Sequence, residues 1–182
     1  MTINQTPLEG CFVMEPKVFT DLRGTFLEVF HQKDFLERTG LKVNFVQDNQ
    51  STSHYGVLRG LHLQMGEASQ AKLVRVVKGE VLDVVVDLRQ NSKTYGQHFS
   101  IRLSAENNKQ LFIPRGFAHG FVSLAEESVF AYKCDNYYNP KAEAGIRYND
   151  ATLQIDWHLP IEKLIVSEKD LALPSFKEFM ND

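Results

Sequence analysis

Lys72-Leu73-Val74-Arg75-Val76-Val77-Lys78-Gly79-Glu80-Val81-Leu82-Asp83-Val84-Val85-Val86-Asp87 is two runs rich in β-branched residues on either side of one glycine. Valine packs well on a pleated surface and loses rotamer freedom in a helix, so both runs favour extended backbone. The pattern predicts two strands joined as a hairpin at Lys78-Gly79. The same signal recurs downstream at short intervals, where residues 98–103, 110–113, 120–124 and 128–134 each read as a strand. Many short strands with little helix predict an all-β fold, a sandwich or a small barrel closed to protect its edges.

Upstream, residues 11–19 read as an extended opening segment and Thr20-Asp21-Leu22-Arg23-Gly24 as a turn. A strand over residues 25–30 follows, in which the two-residue period puts Phe26, Glu28 and Phe30 on one face. Residues 32–39 predict a short helix closed by Gly40 in a left-handed cap position. A strand is expected over residues 43–49, then a polar break at Ser51-Thr52-Ser53 and Gly56. Toward the C-terminus the expectations are a loop over residues 137–150, a short strand over 153–157 and a helical turn over 175–180. Ser167-Glu168-Lys169-Asp170 reads as a surface loop on composition.

With 182 residues, 43% of them hydrophobic and 24% charged, the chain predicts one globular domain spanning residues 1–182 with a substantial core. The net charge of −3 argues against a nucleic-acid or membrane-surface protein, so any bound phosphate must be held by local arginines and lysines. Cys11 and Cys134 are far apart and outside any C-x-x-C spacing, which suggests neither a disulfide framework nor a thiolate metal site and fits the reducing cytosol. No stretch approaches the roughly 18 apolar residues a membrane span needs, and the N-terminus lacks a basic segment followed by an apolar run. A soluble cytoplasmic protein is expected.

Val57-Leu58-Arg59-Gly60-Leu61-His62-Leu63-Gln64 is an apolar strand that carries an arginine and a histidine. Burying a polar group without a partner costs roughly 2–7 kcal/mol, and a charge costs more. An isolated histidine there is more often a satisfied core side chain; in company it marks an active-site wall. His62, Gln64 and His119 are a possible metal set, but two imidazoles and a neutral amide hold a divalent ion poorly, so no metal is expected. Without one, His62 is a candidate general base. Asp83, Asp87 or Asp170 could orient it, Tyr132 could return a proton, and Lys72 could stabilise an oxyanion. Together these residue types suit proton abstraction beside a carbonyl. Arg23 and Arg59 are phosphate candidates because a guanidinium grips phosphate oxygens bidentately. Arg59 and His62 differ by three positions, so a straight strand points them to opposite faces; a bulge at Gly60 would bring both into one pocket.

Several segments carry a resemblance: Asp21-Leu22-Arg23-Gly24, Phe45-Val46-Gln47-Asp48-Asn49, Val57-Leu58-Arg59-Gly60-Leu61-His62-Leu63-Gln64 and Ile113-Pro114-Arg115-Gly116-Phe117-Ala118-His119-Gly120-Phe121. Tyr132-Lys133, Asn136-Tyr137-Tyr138, Glu143-Ala144-Gly145-Ile146 and Ser167-Glu168-Lys169-Asp170 continue it in order. In these the chain resembles the dTDP-4-dehydrorhamnose 3,5-epimerases, a family of metal-independent, cupin-type sugar-nucleotide epimerases. The resemblance implies a cupin-type jelly-roll barrel with a few short peripheral helices that inverts C3 and C5 of dTDP-4-dehydro-6-deoxyglucose in rhamnose synthesis without cofactor or metal. It assigns His62 as base, Asp170 as its orienter, Tyr132 as acid and Lys72 as enolate stabiliser. It implies substrate contacts from Arg23, Phe26, Glu28, Gln47, Asp48, Asn49, Arg59, His119, Glu143 and Lys169, with Tyr138 stacked on thymine. It also implies a homodimer with exchanged N-terminal strands, in which Arg23, Phe26 and Glu28 serve the neighbour's site. Leu63, Phe112 and Tyr148 depart from the family's usual aromatics and touch substrate fit more than chemistry. Rival readings are a mono-epimerase acting at C3 or C5 alone, a 3,4-ketoisomerase, and a non-catalytic sugar-nucleotide-binding cupin.

Overall fold

The computed structural model describes residues 1–181. Its strands are β1 (Thr2–Gln5), β2 (Phe12–Glu15), β3 (Val18–Asp21), β4 (Gly24–Leu27), β5 (Gln47–His54), β6 (Val57–Gln64), β7 (Lys72–Lys78) and β8 (Glu80–Asp87), then β9 (His98–Ser104), β10 (Gln110–Ile113), β11 (Phe117–Ser123), β12 (Glu127–Cys134), β13 (Glu143–Gly145) and β14 (Ile165–Val166). Among the described residues three short α-helices accompany them: α1 (Gln32–Thr39), α2 (Glu168–Leu171) and α3 (Phe176–Phe179). One sheet runs β1-β2-β10-β7-β12-β5; the other runs β13-β6-β11-β8-β9, with β14 added beside β6. The expected all-β class is met, and the two stacked sheets are those of a cupin-like barrel.

β7 and β8 are strands as expected, but they do not pair with each other. β7 lies between β10 and β12 in one sheet, and β8 between β11 and β9 in the other. A single residue separates them, fewer than the two-residue loop of the tightest common hairpins, so Gly79 turns the chain from one sheet to the other. Gly79 sits at φ +77°, and a Cβ there would lie 2.4 Å from the Glu127 carbonyl oxygen.

The run Val81–Val86 is apolar at nearly every position because both faces of β8 are covered. Val81 and Val85 face β7, β10 and β12 across the interior, meeting Val74, Val76, Leu111, Ile113 and Phe130. Leu82, Val84 and Val86 face outward beneath the C-terminal segment, which lays Ile146, Tyr148, Leu153, Trp157 and Phe176 over that sheet. The outer face of the other sheet is covered by α1, whose Phe35 packs with Met14, Leu73 and Phe112. α1 matches its expected bounds, and Gly40 ends it at φ +73°.

Other boundaries moved. β4 stops at Leu27, so Glu28 and Phe30 lie beyond the strand expected to carry them. The expected strand over residues 43–49 instead runs Gln47–His54, straight through the predicted polar break. Eight rungs of pairing with β12 set it, and its alternation of half-buried and exposed residues is the mark of a strand whose inward row is itself polar. β11 begins at Phe117, ahead of the strand expected from residue 120, so it includes His119. No strand forms over residues 153–157. Ser167-Glu168-Lys169-Asp170 is not a surface loop: Ser167 caps α2, and Asp170 is buried.

Asp87, the last residue of β8, is fully buried and accepts hydrogen bonds from Arg89 Nε and Nη2, Ser92 Oγ and Thr94 Oγ1. Burial pushes its carboxyl up, but these donors outweigh it and hold the pKa at about 2. A depressed carboxylate adds stability that is fully present above its ordinary value of 3.8 and is lost as pH falls through about 2. Asp87→Asn is therefore expected to destabilise the fold by about 3 kcal/mol at pH 7, through loss of the buried partner of Arg89. By urea denaturation that cost should shrink toward pH 2; an equal cost at both pH values would contradict the assignment.

Candidate active site

The bulge at Gly60 is present. His119 pairs with His62 and Phe121 with Arg59, so three steps along β6 match two along β11. Gly60 takes φ +134°, and a Cβ there would stand 2.5 Å from the Gly120 Cα, which only glycine avoids. The extra residue turns Arg59 and His62 to the same side, and both line one cavity of about 540 Å³, a size suited to a small organic ligand.

His62 Nε2 lies 2.7 Å from Asp170 Oδ1, and Asp170 Oδ2 accepts the Gly60 N–H at 3.2 Å. Of the three aspartates that sequence alone leaves open, Asp170 is thus the partner of His62. Asp83 pairs instead with His119 Nε2 at 2.9 Å, and Asp87 belongs to the Arg89 cluster. Burial raises the Asp170 pKa, yet the hydrogen bond and charge of His62, with the Gly60 and Ser167 contacts, hold it below its ordinary value. The carboxylate is ionised at neutral pH and fixes one ring nitrogen of His62, leaving the other for a ligand.

Tyr132 reaches the same cavity from β12, on the opposite sheet. Burial pushes its phenol pKa up, with Cys134 and Glu143 adding to the rise and Arg59 opposing it, so the hydroxyl keeps its proton. Lys72, at the start of β7, lines the cavity, and among the described residues its ammonium has no ion-pair partner. Burial drives its pKa down while Cys134, Asp83 and Glu143 counter the fall. Phe121 and Phe130 stack at 4.3 Å along the floor.

A smaller cavity of about 120 Å³ shares His62, Lys72, Tyr132 and Glu143 with the first and extends between Gln47, Asn49 and Tyr138. Tyr138 donates its hydroxyl proton to Glu143, which also pairs with Lys169 at 2.8 Å. Gln64 lies here as well, but its amide oxygen accepts the Asn139 N–H at 2.8 Å; with Gln47, which accepts from Tyr138 N, it pins the loop carrying Tyr138. Among the described residues no three His, Cys, Asp or Glu side chains gather as a metal set.

Eleven of the predicted residues therefore converge: His62, Tyr132, Asp170, Lys72, Gln47, Asn49, Arg59, His119, Tyr138, Glu143 and Lys169. Four do not. Asp48 points out of β5 to pair with Lys133 at 2.6 Å. Arg23 and Phe26 belong to the β3–β4 ribbon, which forms a separate two-stranded sheet with Arg23 bonded to Asp21, and Glu28 follows it. Sequence reasoning missed Gln50, Ser51, Ser167 and Cys134, which also line these cavities. The two-residue spacing of Gln47, Asn49, Ser51 and Ser53 is the signal that would have found Ser51.

The family model for dTDP-4-dehydrorhamnose 3,5-epimerase matches residues 5–178. A dTDP-4-dehydrorhamnose 3,5-epimerase of Methanothermobacter thermautotrophicus is 52% identical over 91% of this chain and 89% of the relative. The crystal structure of a dTDP-4-dehydrorhamnose 3,5-epimerase from Elizabethkingia anophelis superposes with a TM-score of 0.95 at 54% identity, covering 98% and 97% of the two chains. A dTDP-6-deoxy-D-glucose-3,5-epimerase from Legionella pneumophila, solved in complex with dTDP-4-keto-L-rhamnose, gives 0.93 at 46% identity over 97% and 93%. With its two-sheet barrel and a His–Asp pair facing a tyrosine across one cavity, the chain belongs to the dTDP-4-dehydrorhamnose 3,5-epimerase family.

Proposed function

We propose that this isomerase epimerises dTDP-4-dehydro-6-deoxy-D-glucose at C3 and C5 to dTDP-4-dehydro-L-rhamnose. The C4 ketone flanks both carbons and acidifies their protons. His62, held by Asp170, removes one proton, and the electron pair passes into an enolate whose oxygen faces the Lys72 ammonium. Tyr132 then delivers a proton to the opposite face of the same carbon, and exchange with solvent resets both groups. Repetition at the second carbon completes the reaction, so neither a redox cofactor nor a metal is required. Acid–base assistance of this kind is worth about 10²–10⁴-fold at each step.

The single observation that carries the reading is the placement of His62 on β6 and Tyr132 on β12, in opposite sheets with one cavity between them. Inversion needs a base on one sugar face and an acid on the other. The ionisation states agree with the roles: Asp170 is charged, and the Tyr132 phenol is protonated.

For the remaining substrate, the reading gives the diphosphate to Arg59, the sugar to His119, and the nucleoside to Gln47, Asn49, Glu143 and Lys169, with thymine stacked on Tyr138. The exposed β3–β4 ribbon, bearing Phe19, Leu22 and Phe26, suits a second copy of the chain. In a homodimer with exchanged N-terminal segments it delivers Arg23, Phe26 and Glu28 to the partner's cavity, and Asp48 completes the mouth. A cytoplasmic single-domain protein fits a nucleotide-sugar substrate; among the described residues no helix is long and apolar enough to cross a membrane.

His62→Ala is expected to lower kcat by at least about 10²-fold while dTDP binding, read by calorimetry, stays within about threefold; full turnover would remove His62 as the base. Tyr138→Ala should weaken dTDP binding by about 1–3 kcal/mol, the range of base–aromatic stacking. Unchanged affinity would take Tyr138 out of the nucleoside subsite.

A further inference from the structure

The hydroxyl run Ser51-Thr52-Ser53 lies within β5, and Ser53 is only 2% exposed. Its Oγ accepts the Arg59 Nε–H at 3.1 Å, while Arg59 Nη2 donates to the Thr52 carbonyl at 3.3 Å. The two residues come from different sheets, β5 and β6, so this contact bridges the two sheets beside the cavity. Arg59 lines the main cavity; Ser53 lies behind it and does not.

Ser53 is itself held in place. Its carbonyl accepts from Ser123 Oγ at 3.4 Å, Ser123 Oγ shares a 2.8 Å hydrogen bond with Ser128 Oγ, and Ser128 Oγ donates to the Glu80 carbonyl at 2.9 Å. Ser123 and Ser128 are completely buried. A guanidinium is a rigid plane of five N–H donors. Two of its N–H groups meet Ser53 and Thr52, which fixes the plane and leaves the other edge open to the cavity. A free arginine would surrender its rotamer freedom on binding; this one is already oriented.

We propose that Ser53 is a positioning residue that holds the Arg59 guanidinium edge-on to the diphosphate of the nucleotide sugar without touching the ligand. The proposal rests on the functional reading above. It assigns the buried hydroxyl to substrate affinity and not to the proton-transfer steps.

The test compares dTDP affinity by calorimetry and steady-state kinetics in the full-length protein for Ser53→Ala, Arg59→Ala, the double variant and Ser123→Ala. Ser53→Ala should weaken dTDP binding by about 3–10-fold and raise KM by the same factor, with kcat within about twofold. Arg59→Ala should weaken binding by about 10–100-fold, and adding Ser53→Ala to it should cost nothing more. Ser123→Ala removes one contact to the Ser53 carbonyl but leaves the Ser53 hydroxyl on Arg59, so it should lower thermal stability and weaken dTDP binding less than Ser53→Ala does; an equal or larger loss of affinity would reduce Ser53 to a structural role. Wild-type affinity in Ser53→Ala beside a weakened Arg59→Ala would overturn the proposal and leave the site reading standing. An equal loss from Ser53→Ala with or without Arg59 would reduce Ser53 to a structural role. Wild-type affinity in Arg59→Ala would overturn both the proposal and the assigned diphosphate contact.

Discussion

The Asp170 carboxylate is the contact on which the site depends. One oxygen meets His62 and the other meets the Gly60 N–H, so a single buried side chain fixes both the His62 imidazole and the bulge that turns it inward. It does so from 108 residues away in sequence. To bring it there, β14 adds in parallel to the edge of β6, and Ser167 caps the short helix that presents Asp170. Beyond it, the Asp150 carboxylate and the Arg147 backbone hold the segment that carries α3. The C-terminal segment is thus both a cover for one sheet and the carrier of a site residue.

The same division of labour runs through the barrel. β8 supplies Val81 and Val85 to the interior, yet at the intervening inward position it places Asp83, fully buried and paired with His119. One oxygen of Asp83 has no hydrogen-bond partner among the described residues. A buried, incompletely satisfied carboxylate is costly, and its neighbours include the Lys72 ammonium, whose charge it supports. The apolar half of the interior packs the two sheets together; the polar half keeps Asp170 ionised and the Tyr132 phenol protonated, the states on which the proposed proton transfers rest.

Much of the fold is legible in the sequence because local rules decide it. β-branched runs gave the strands, and Gly40 after an amphipathic stretch gave α1 with its cap. Pairing is not local. Lys78-Gly79 looks like a hairpin turn, and only the competing partners of β7 and β8 reveal it as a corner between sheets. β5 was hidden because its inward row is polar, with Gln47, Asn49 and Ser51 on the cavities and Ser53 buried behind Arg59, so hydrophobic alternation is missing where pairing with β12 creates the strand. Asp170 looked like surface charge for the same kind of reason: composition does not show which carboxylate will be folded under a strand edge. The positions of His62, Tyr132, Lys72 and Arg59 were readable as unusual polar residues on strands, and the resemblance to the epimerase family joined them. The four that fall outside the cavity lie on or near the exposed ribbon, or on the outward face of β5.

The most direct test of the central claim follows solvent deuterium into dTDP-4-dehydro-6-deoxy-D-glucose incubated with the protein in D₂O, observing C3 and C5 by NMR. A base and an acid on opposite walls of one cavity predict deuterium at both carbons with inverted configuration at each. Exchange confined to one carbon, or absent at both, would contradict that account.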